Sequence, residues 1–200
     1  MTANPLTSEG PATRPSNRRA LILDAAIGLF REGGYPATSV DDIGKAVDVS
    51  GPATYRHFSS KEEILLEAIR LAADEVHAAN GEARNSTADP RTLLAAYIGA
   101  YVVCALDRST LIAVWTTEAR HLSSERRSPV TRRLRSWSNE WVEALTAIRP
   151  ELSTEQARVL VGGAIGLITS LATNDDGSLG RAQLSGMITA MALATLDTPF

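Results

Sequence analysis

Apolar residues recur at helical spacing from about residue 17 onward. Leu21, Ala25, Ile27, Leu29 and Phe30 make one stripe, which predicts an amphipathic helix that Gly33 and Gly34 end. Tyr35-Pro36 then reads as an extended connector. A short helix is predicted over 40–47, with Val40, Ile43, Ala46 and Val47 inward, a hydroxyl cap from Thr38-Ser39, and Asp41-Asp42 in its first turn. Asp48 marks a turn with positive φ, Val49 plugs the corner, and Ser50 caps a third helix expected over 51–58, with Pro52 in its first turn. Ser59 or Ser60 with Glu62-Glu63 forms a capping pattern for a long helix reaching about Ala83. The polar stretch 85–90 interrupts the pattern. Five further helices are expected at about 91–106, 109–122, 129–148, 154–172 and 181–196, and no alternating segment competes with them. The prediction is an all-α chain of about nine helices in two parts: 17–62, then 63–200.

Composition changes this picture little. With 44% hydrophobic, 22% charged and only 5% aromatic residues over 200, the chain reads as an ordinary globular protein with a sizeable core. The stretch 1–16 has no apolar core of a signal peptide and is expected to be a disordered tail of a cytoplasmic protein. No apolar run reaches the length of a membrane helix, since 161–172 is interrupted by glycines, so no membrane partner is expected. Cys104 is the single cysteine, and His57, His77 and His121 are scattered, so neither disulfide nor metal cluster is expected. There is no nucleophile elbow and no glycine-rich phosphate loop after a strand, so no catalytic residues or cofactor are assigned.

The chemistry lies in the first three helices. Two short helices joined by a tight turn form the helix-turn-helix plan, whose second helix enters the DNA major groove. That helix begins Ser50-Gly51-Pro52-Ala53-Thr54-Tyr55-Arg56-His57. Its small residues allow backbone approach, and Thr54, Tyr55, Arg56 and His57 offer donors to phosphate or base edges. Thr38, Ser39 and Lys61 stand at helix starts as phosphate contacts. Singly, each has a plain reading as cap, core or solvated side chain; their order and spacing carry the weight. The net charge of −3 does not by itself suggest DNA, and residues 1–61 hold 7 basic against 6 acidic side chains. Pairing two such heads concentrates the few cations on adjacent grooves.

The segment from Arg19 to about Ile69 resembles the DNA-binding domain of the TetR/AcrR family of transcriptional regulators. The resemblance is carried by Ile22-Leu23-Asp24-Ala25-Ala26, Leu29-Phe30, Gly33-Gly34-Tyr35, Thr38-Ser39-Val40, Asp42-Ile43, Val49-Ser50, Tyr55-Arg56-His57-Phe58 and Lys61-Glu62. It implies that Thr38, Tyr55, His57 and Lys61 contact phosphates while 51–54 faces bases of a palindromic operator. Three positions depart from it: Gly44 stands where alanine is usual, Asp48 where a turn glycine is usual, and Pro52 where a small residue is usual. On propensity alone Gly44 costs its helix about 1 kcal/mol relative to alanine.

In the second part, Gly162, Gly166 and Ser170 recur every four residues on one helix, and Gly186, Ala190 and Ala194 on the last. Such stripes permit close helix approach, either within the chain or across a four-helix homodimer interface, and the resemblance implies the latter. Tyr97, Tyr101 and Cys104 share a face, as do Trp115 and Glu118, and Trp137 and Trp141. These sets suit a core as well as a ligand pocket. Glu118, a carboxylate beside tryptophan in an apolar helix, is the leading pocket candidate. The run from Trp115 through Arg126-Arg127 and Arg132-Arg133 to Trp141-Val142 resembles regulators of fatty-acid or acyl-CoA metabolism in actinobacteria, and Arg135 joins these arginines as a solvated surface or a phosphate-binding rim. The expectation is a ligand-responsive repressor released from DNA by a small apolar effector such as an acyl-CoA or fatty acid. The alternative is a helical sensor without operator binding.

Overall fold

The structure, a computed structural model, describes residues 15–86 and 89–199. Among these there are nine α-helices and no strand: α1 (Pro15–Gly33), α2 (Val40–Ala46), α3 (Gly51–Thr54), α4 (Lys61–Ser86), α5 (Pro90–Asp107), α6 (Ser109–Glu118), α7 (Ser124–Ile148), α8 (Thr154–Thr173) and α9 (Arg181–Leu196). A 3-10 turn, Ala119–His121, follows α6. The tail expected over 1–16 lies outside the described residues except for its last two, which already belong to α1.

Local chemistry explains most boundaries. The Ser39 hydroxyl accepts the Asp42 N–H at 3.1 Å while the Asp42 carboxylate accepts the Ser39 N–H, a reciprocal cap that starts α2. Ser153 and Gln156 repeat the device at α8, and Asp89 caps α5 through the Thr92 N–H. Three boundaries differ from the sequence expectation. The third helix stops at Thr54 instead of residue 58, and 55–57 continues as turns. The helix expected over 109–122 ends at Glu118 and tightens into the 3-10 turn. α7 starts at Ser124, so Pro129 lies inside it, where it lacks the N–H for a helical bond.

One hydrophobic core runs the length of the molecule. Ile22, Ile43, Phe58 and Ile64 at one end belong to the same buried cluster as Trp141, Ala164 and Ile188 at the other. The boundary expected at 62/63 therefore falls in the first turn of a helix, α4, that serves both parts. α5 and α6 meet at 91°, which turns α6 back to pack on α1 and α4.

α8 corrects the expectation that no helix is long and apolar enough to cross a membrane: it meets that test, with mean hydropathy 1.3 and a third of the stretch buried. Its apolarity serves two faces. Ala157, Leu160, Val161, Ala164, Ile168 and Ala172 are buried in the core, while Val159, Gly162, Gly163, Gly166 and Ser170 are exposed on the outside.

Candidate nucleic-acid interface and sensor core

The corner between α2 and α3 is built by backbone bonds. Asp48 takes φ 53°, as expected, and the Val49 N–H returns to the Gly44 carbonyl at 2.9 Å. This brings the backbone so close to Gly44 that a β-carbon there would lie 2.4 Å from the Val49 carbonyl oxygen. Gly44 is thus required by the corner, and the propensity argument reverses. Gly44→Ala is expected to lower stability by about 1–3 kcal/mol through overpacking, instead of raising it; a thermal melt of the variant decides the sign.

Ser50 caps α3 by accepting the Ala53 N–H at 3.3 Å, and the segment that follows divides cleanly. Ser50, Pro52, Tyr55 and Arg56 are exposed, and Ala53 and His57 are half-buried on the same outer surface. Tyr55 is 53% exposed, one of the few large apolar or aromatic side chains of the head left open to solvent. Ser39 is exposed at the start of α2. Gly51 is buried against the Asp41 carboxylate, and Phe58 is core, with the Arg19 guanidinium 4.3 Å above its ring.

Besides the buried Gly51, three residues expected at DNA are turned inward in this structure. Thr54 is fully buried, its hydroxyl donating to the Ser50 carbonyl at 3.2 Å. Thr38 is buried too, its hydroxyl donating to the Gly34 carbonyl at 2.9 Å. The Lys61 ammonium donates to the carbonyls of Tyr35 and Thr38, each at 2.8 Å, and lies 4.3 Å over the Tyr35 ring. Lys61 is therefore a clasp on the α1–α2 connector. In this geometry both threonine hydroxyls and the Lys61 ammonium, whose third contact is the Pro36 carbonyl at 3.4 Å, are turned to backbone carbonyls.

Glu118 also occupies a different place from the one expected. It is buried at the end of α6, where its carboxylate accepts the Tyr35 N–H at 3.2 Å, with His121 Nε2 3.5 Å away and the His121 ring stacked on Tyr35. Nearby, the Glu62 carboxylate accepts the Ser123 N–H at 2.8 Å, and that bond holds its pKa below the usual carboxylate range. Glu118, Tyr35, His121 and Glu62 thus join the head to the rest of the molecule. Sequence reasoning missed Tyr35, His121 and Glu62 in this role, because bonds spanning 61 to 83 residues leave no local pattern.

Of the residues expected to form a pocket, four come together. Tyr97, Tyr101, Trp137 and Trp141 pack ring against ring, with centroids 5.1–6.3 Å apart, at the centre of α4, α5 and α7. Burial pushes the Tyr101 hydroxyl up to about 12, and it pairs with the Thr169 hydroxyl at 2.8 Å. Asn80 accepts the Trp141 indole N–H and donates to the Trp137 carbonyl, each at 3.3 Å. Beside these satisfied groups, Trp137 Nε1 and Glu140 Oε2 are buried with no hydrogen-bond partner, while the other Glu140 oxygen accepts from Arg84 at 2.9 Å; His77 Nδ1 on α4 is also without a partner. Trp115 lies half-buried on the core edge, and Cys104 lines a separate shallow groove with Glu75, Ala78, Ala79, Glu82, Asp107 and Arg108.

The small-residue stripes lie on the outer face. Gly162, Gly166, Ser170, Gly186, Ala190 and Ala194 are all exposed, flanked by Val159 (70% exposed), Met187 and Met191. A β-carbon at Gly162, Gly166 or Gly186 would meet nothing within 4 Å. Packing of α8 on α9 within the chain therefore does not account for these glycines.

Comparison with known proteins agrees in fold and in the head. The sequence profile described as bacterial regulatory proteins, tetR family, matches residues 22–68. The HTH-type transcriptional repressor KstR2 of Mycobacterium tuberculosis is 28% identical over 151 residues, 72% of this chain and 76% of that protein. KstR2 of Rhodococcus jostii is 33% identical over 134 residues, 66% of this chain and 65% of that protein. The solved structure of the ketosteroid transcriptional regulator KstR2 of M. tuberculosis superposes with a TM-score of 0.78 at 25% identity, covering 88% of this chain and 93% of that one. AibR, solved in complex with isovaleryl coenzyme A and operator DNA, shares the fold with a TM-score of 0.76 at 20% identity, covering 87% of this chain and 97% of that one.

Proposed function

Because the chain belongs to the TetR family of bacterial transcriptional regulators, and is a DNA-binding regulator and not an enzyme, we propose that it is a homodimeric repressor, released from a palindromic operator by a small effector. The observation that carries the DNA-binding half is the turn at 50–57. A capped helix start, an exposed tyrosine and an exposed arginine stand together on a corner anchored from inside by the buried Thr54 and Phe58. Ser39, Ser50, Pro52, Ala53, Tyr55, Arg56 and His57 form the contact surface, and the chain acts with its DNA in the cytoplasm.

The effector half rests on the two unpartnered polar atoms at the aromatic cluster, Trp137 Nε1 and Glu140 Oε2. A buried donor or acceptor left unpaired costs about 1–3 kcal/mol, and a ligand that brings an acceptor to the Trp137 N–H and a donor to Glu140 removes that cost. The KstR2 repressors and the acyl-CoA complex of AibR support a repressor whose effector is an acyl-CoA or a related apolar acid. Dimerisation through α8 and α9 is supported by the exposed small-residue stripes.

Electrophoretic mobility shift with fragments upstream of the gene tests this reading. The protein is expected to shift a palindromic fragment, and Arg56→Ala is expected to weaken that binding by about 10-fold or more with an unchanged thermal melt. Tyr55→Ala is expected to behave likewise. Absence of any shift from low to physiological salt would leave a sensor without operator binding.

A further inference from the structure

The start of α3 is covered by an acid. Gly51 is buried, although Ser50 and Pro52 on either side of it are exposed. Its cover is the Asp41 side chain from the first turn of α2, for a β-carbon at residue 51 would overlap the Asp41 carboxylate. The small residue expected to bring backbone close to DNA is therefore screened. The group presented at that point of the corner is a carboxylate, and Asp41 is itself exposed, two residues after the exposed Ser39.

Local structure leaves this carboxylate open. Ser39 and Asp42 cap α2, and it is Asp42 that Lys45 approaches, at 3.8 Å. Among the described residues the Asp41 side chain has no hydrogen bond or ion pair. Asp24 and Glu32 of α1 also lack a partner, but they lie elsewhere. Asp24 lines a groove against α4 and the start of α6, and Glu32 lies beside the α1–α2 connector. Asp41 differs from them in its place, against the first residue of the proposed reading helix.

A carboxylate turned to a DNA groove meets phosphates of its own sign and gives up water that it must replace. One base edge compensates. Cytosine presents its N4 amino group in the major groove, and a carboxylate accepts from it. Adenine also presents an amino group, but the N7 lone pair beside it repels an anion; the polar groups of guanine and thymine there are acceptors only. We propose that Asp41 is a specificity residue that reads one cytosine in each half-site of the operator. This rests on the reading of the turn at 50–57 as the surface that meets DNA.

Selection from a randomised duplex DNA pool by the full-length protein, by D41A and by D41N, followed by sequencing, tests the assignment. Thermal melts close to the parent's are expected for both variants, because Asp41 is exposed and does not cap α2. The parent is expected to enrich a palindrome with one C·G pair per half-site preferred by about 10-fold over the other three pairs, and D41A to lose that preference alone. D41N is expected to move the choice at the same pair to A·T, because a carboxamide both donates and accepts and so matches N7 and N6 of adenine. A switch confined to one base pair is a change that a merely structural role of Asp41 would not produce. The proposal is overturned if D41A enriches the same motif as the parent, or if the pair it releases is not C·G. It is equally overturned if D41A alters the affinity for all sequences alike, as loss of an acid that only repels phosphate would do. A parent that enriches no motif overturns the operator reading and this inference together, whereas a parent motif unaltered in D41A overturns this inference alone.

Discussion

Trp141→Ala is expected to lower the free energy of unfolding by about 3–5 kcal/mol, the range for removing a buried aromatic side chain. Trp141 is fully buried and stands 5.7–6.3 Å, centroid to centroid, from Trp137, Tyr101 and Tyr97. Its removal leaves a cavity shared by α4, α5 and α7, and it takes the indole N–H from Asn80, itself 1% exposed, so the loss of a polar partner adds to the loss of packing. For a chain of this size that corresponds to a fall in Tm of roughly 10–15 °C. The melt is to be recorded at fixed protein concentration, because dimerisation makes Tm concentration-dependent. Trp141→Phe, which keeps one six-membered ring in the cluster and loses the pyrrole ring with its donor, is expected to cost less than the alanine variant. A drop in Tm of only a degree or two for the alanine variant would mean that the cluster opens readily and is not a rigid core.

Ala190→Glu is expected to convert the dimer to a monomer and to weaken operator binding by at least about 100-fold, since two linked heads gain that much over one. Ala190 is exposed in the middle of the α9 stripe, about one turn from Met187 and next to Met191, so the substitution has little to disturb within the chain. In an isologous interface the new carboxylate meets its own copy near the axis, which makes one substitution count twice. Light scattering should then report the chain mass of 21.3 kDa instead of twice that value. A dimer that survives Ala190→Glu, and equally a Gly166→Glu change on α8, would place the interface elsewhere.

The elements were more legible in the sequence than the joints between them. α9 has the limits its periodicity indicates, and Asp48 takes the positive φ its position requires, because both are decided by residues a few places apart. The third helix is shorter than the apolar spacing from Ala53 to Phe58 suggests; Phe58 is buried by a turn that reaches the same core without a helix. Site residues divide on the same principle. Tyr55, Arg56 and Ser50 are exposed, as the helix-turn-helix pattern requires. Thr38, Thr54 and Lys61 are turned inward by carbonyl partners, and those of Lys61 lie 23 and 26 residues away. Glu118 was identifiable as a carboxylate in an unusual place, but its partner, the Tyr35 N–H, is a backbone group 83 residues distant that no side-chain pattern marks. The glycine at 44 looks like a weak point in a helix until the Val49 carbonyl is placed against it.

α4 has a mechanical consequence. Its 26 residues at about 1.5 Å each make a rod of roughly 39 Å, with the aromatic cluster packed near one end and the DNA-binding head at the other. Because head and body share one core, the head must follow the rod. Simple lever geometry then applies: a tilt of about 5° pivoting near Asn80 carries the far end of such a rod by roughly 2–3 Å. In a two-fold dimer the heads move in opposite senses, so their separation changes by up to twice that amount. The change exceeds the rise of one base pair, about 3.4 Å. In the proposed dimer a tilt of that size is therefore enough to put the two proposed reading turns out of step with the helical repeat of DNA.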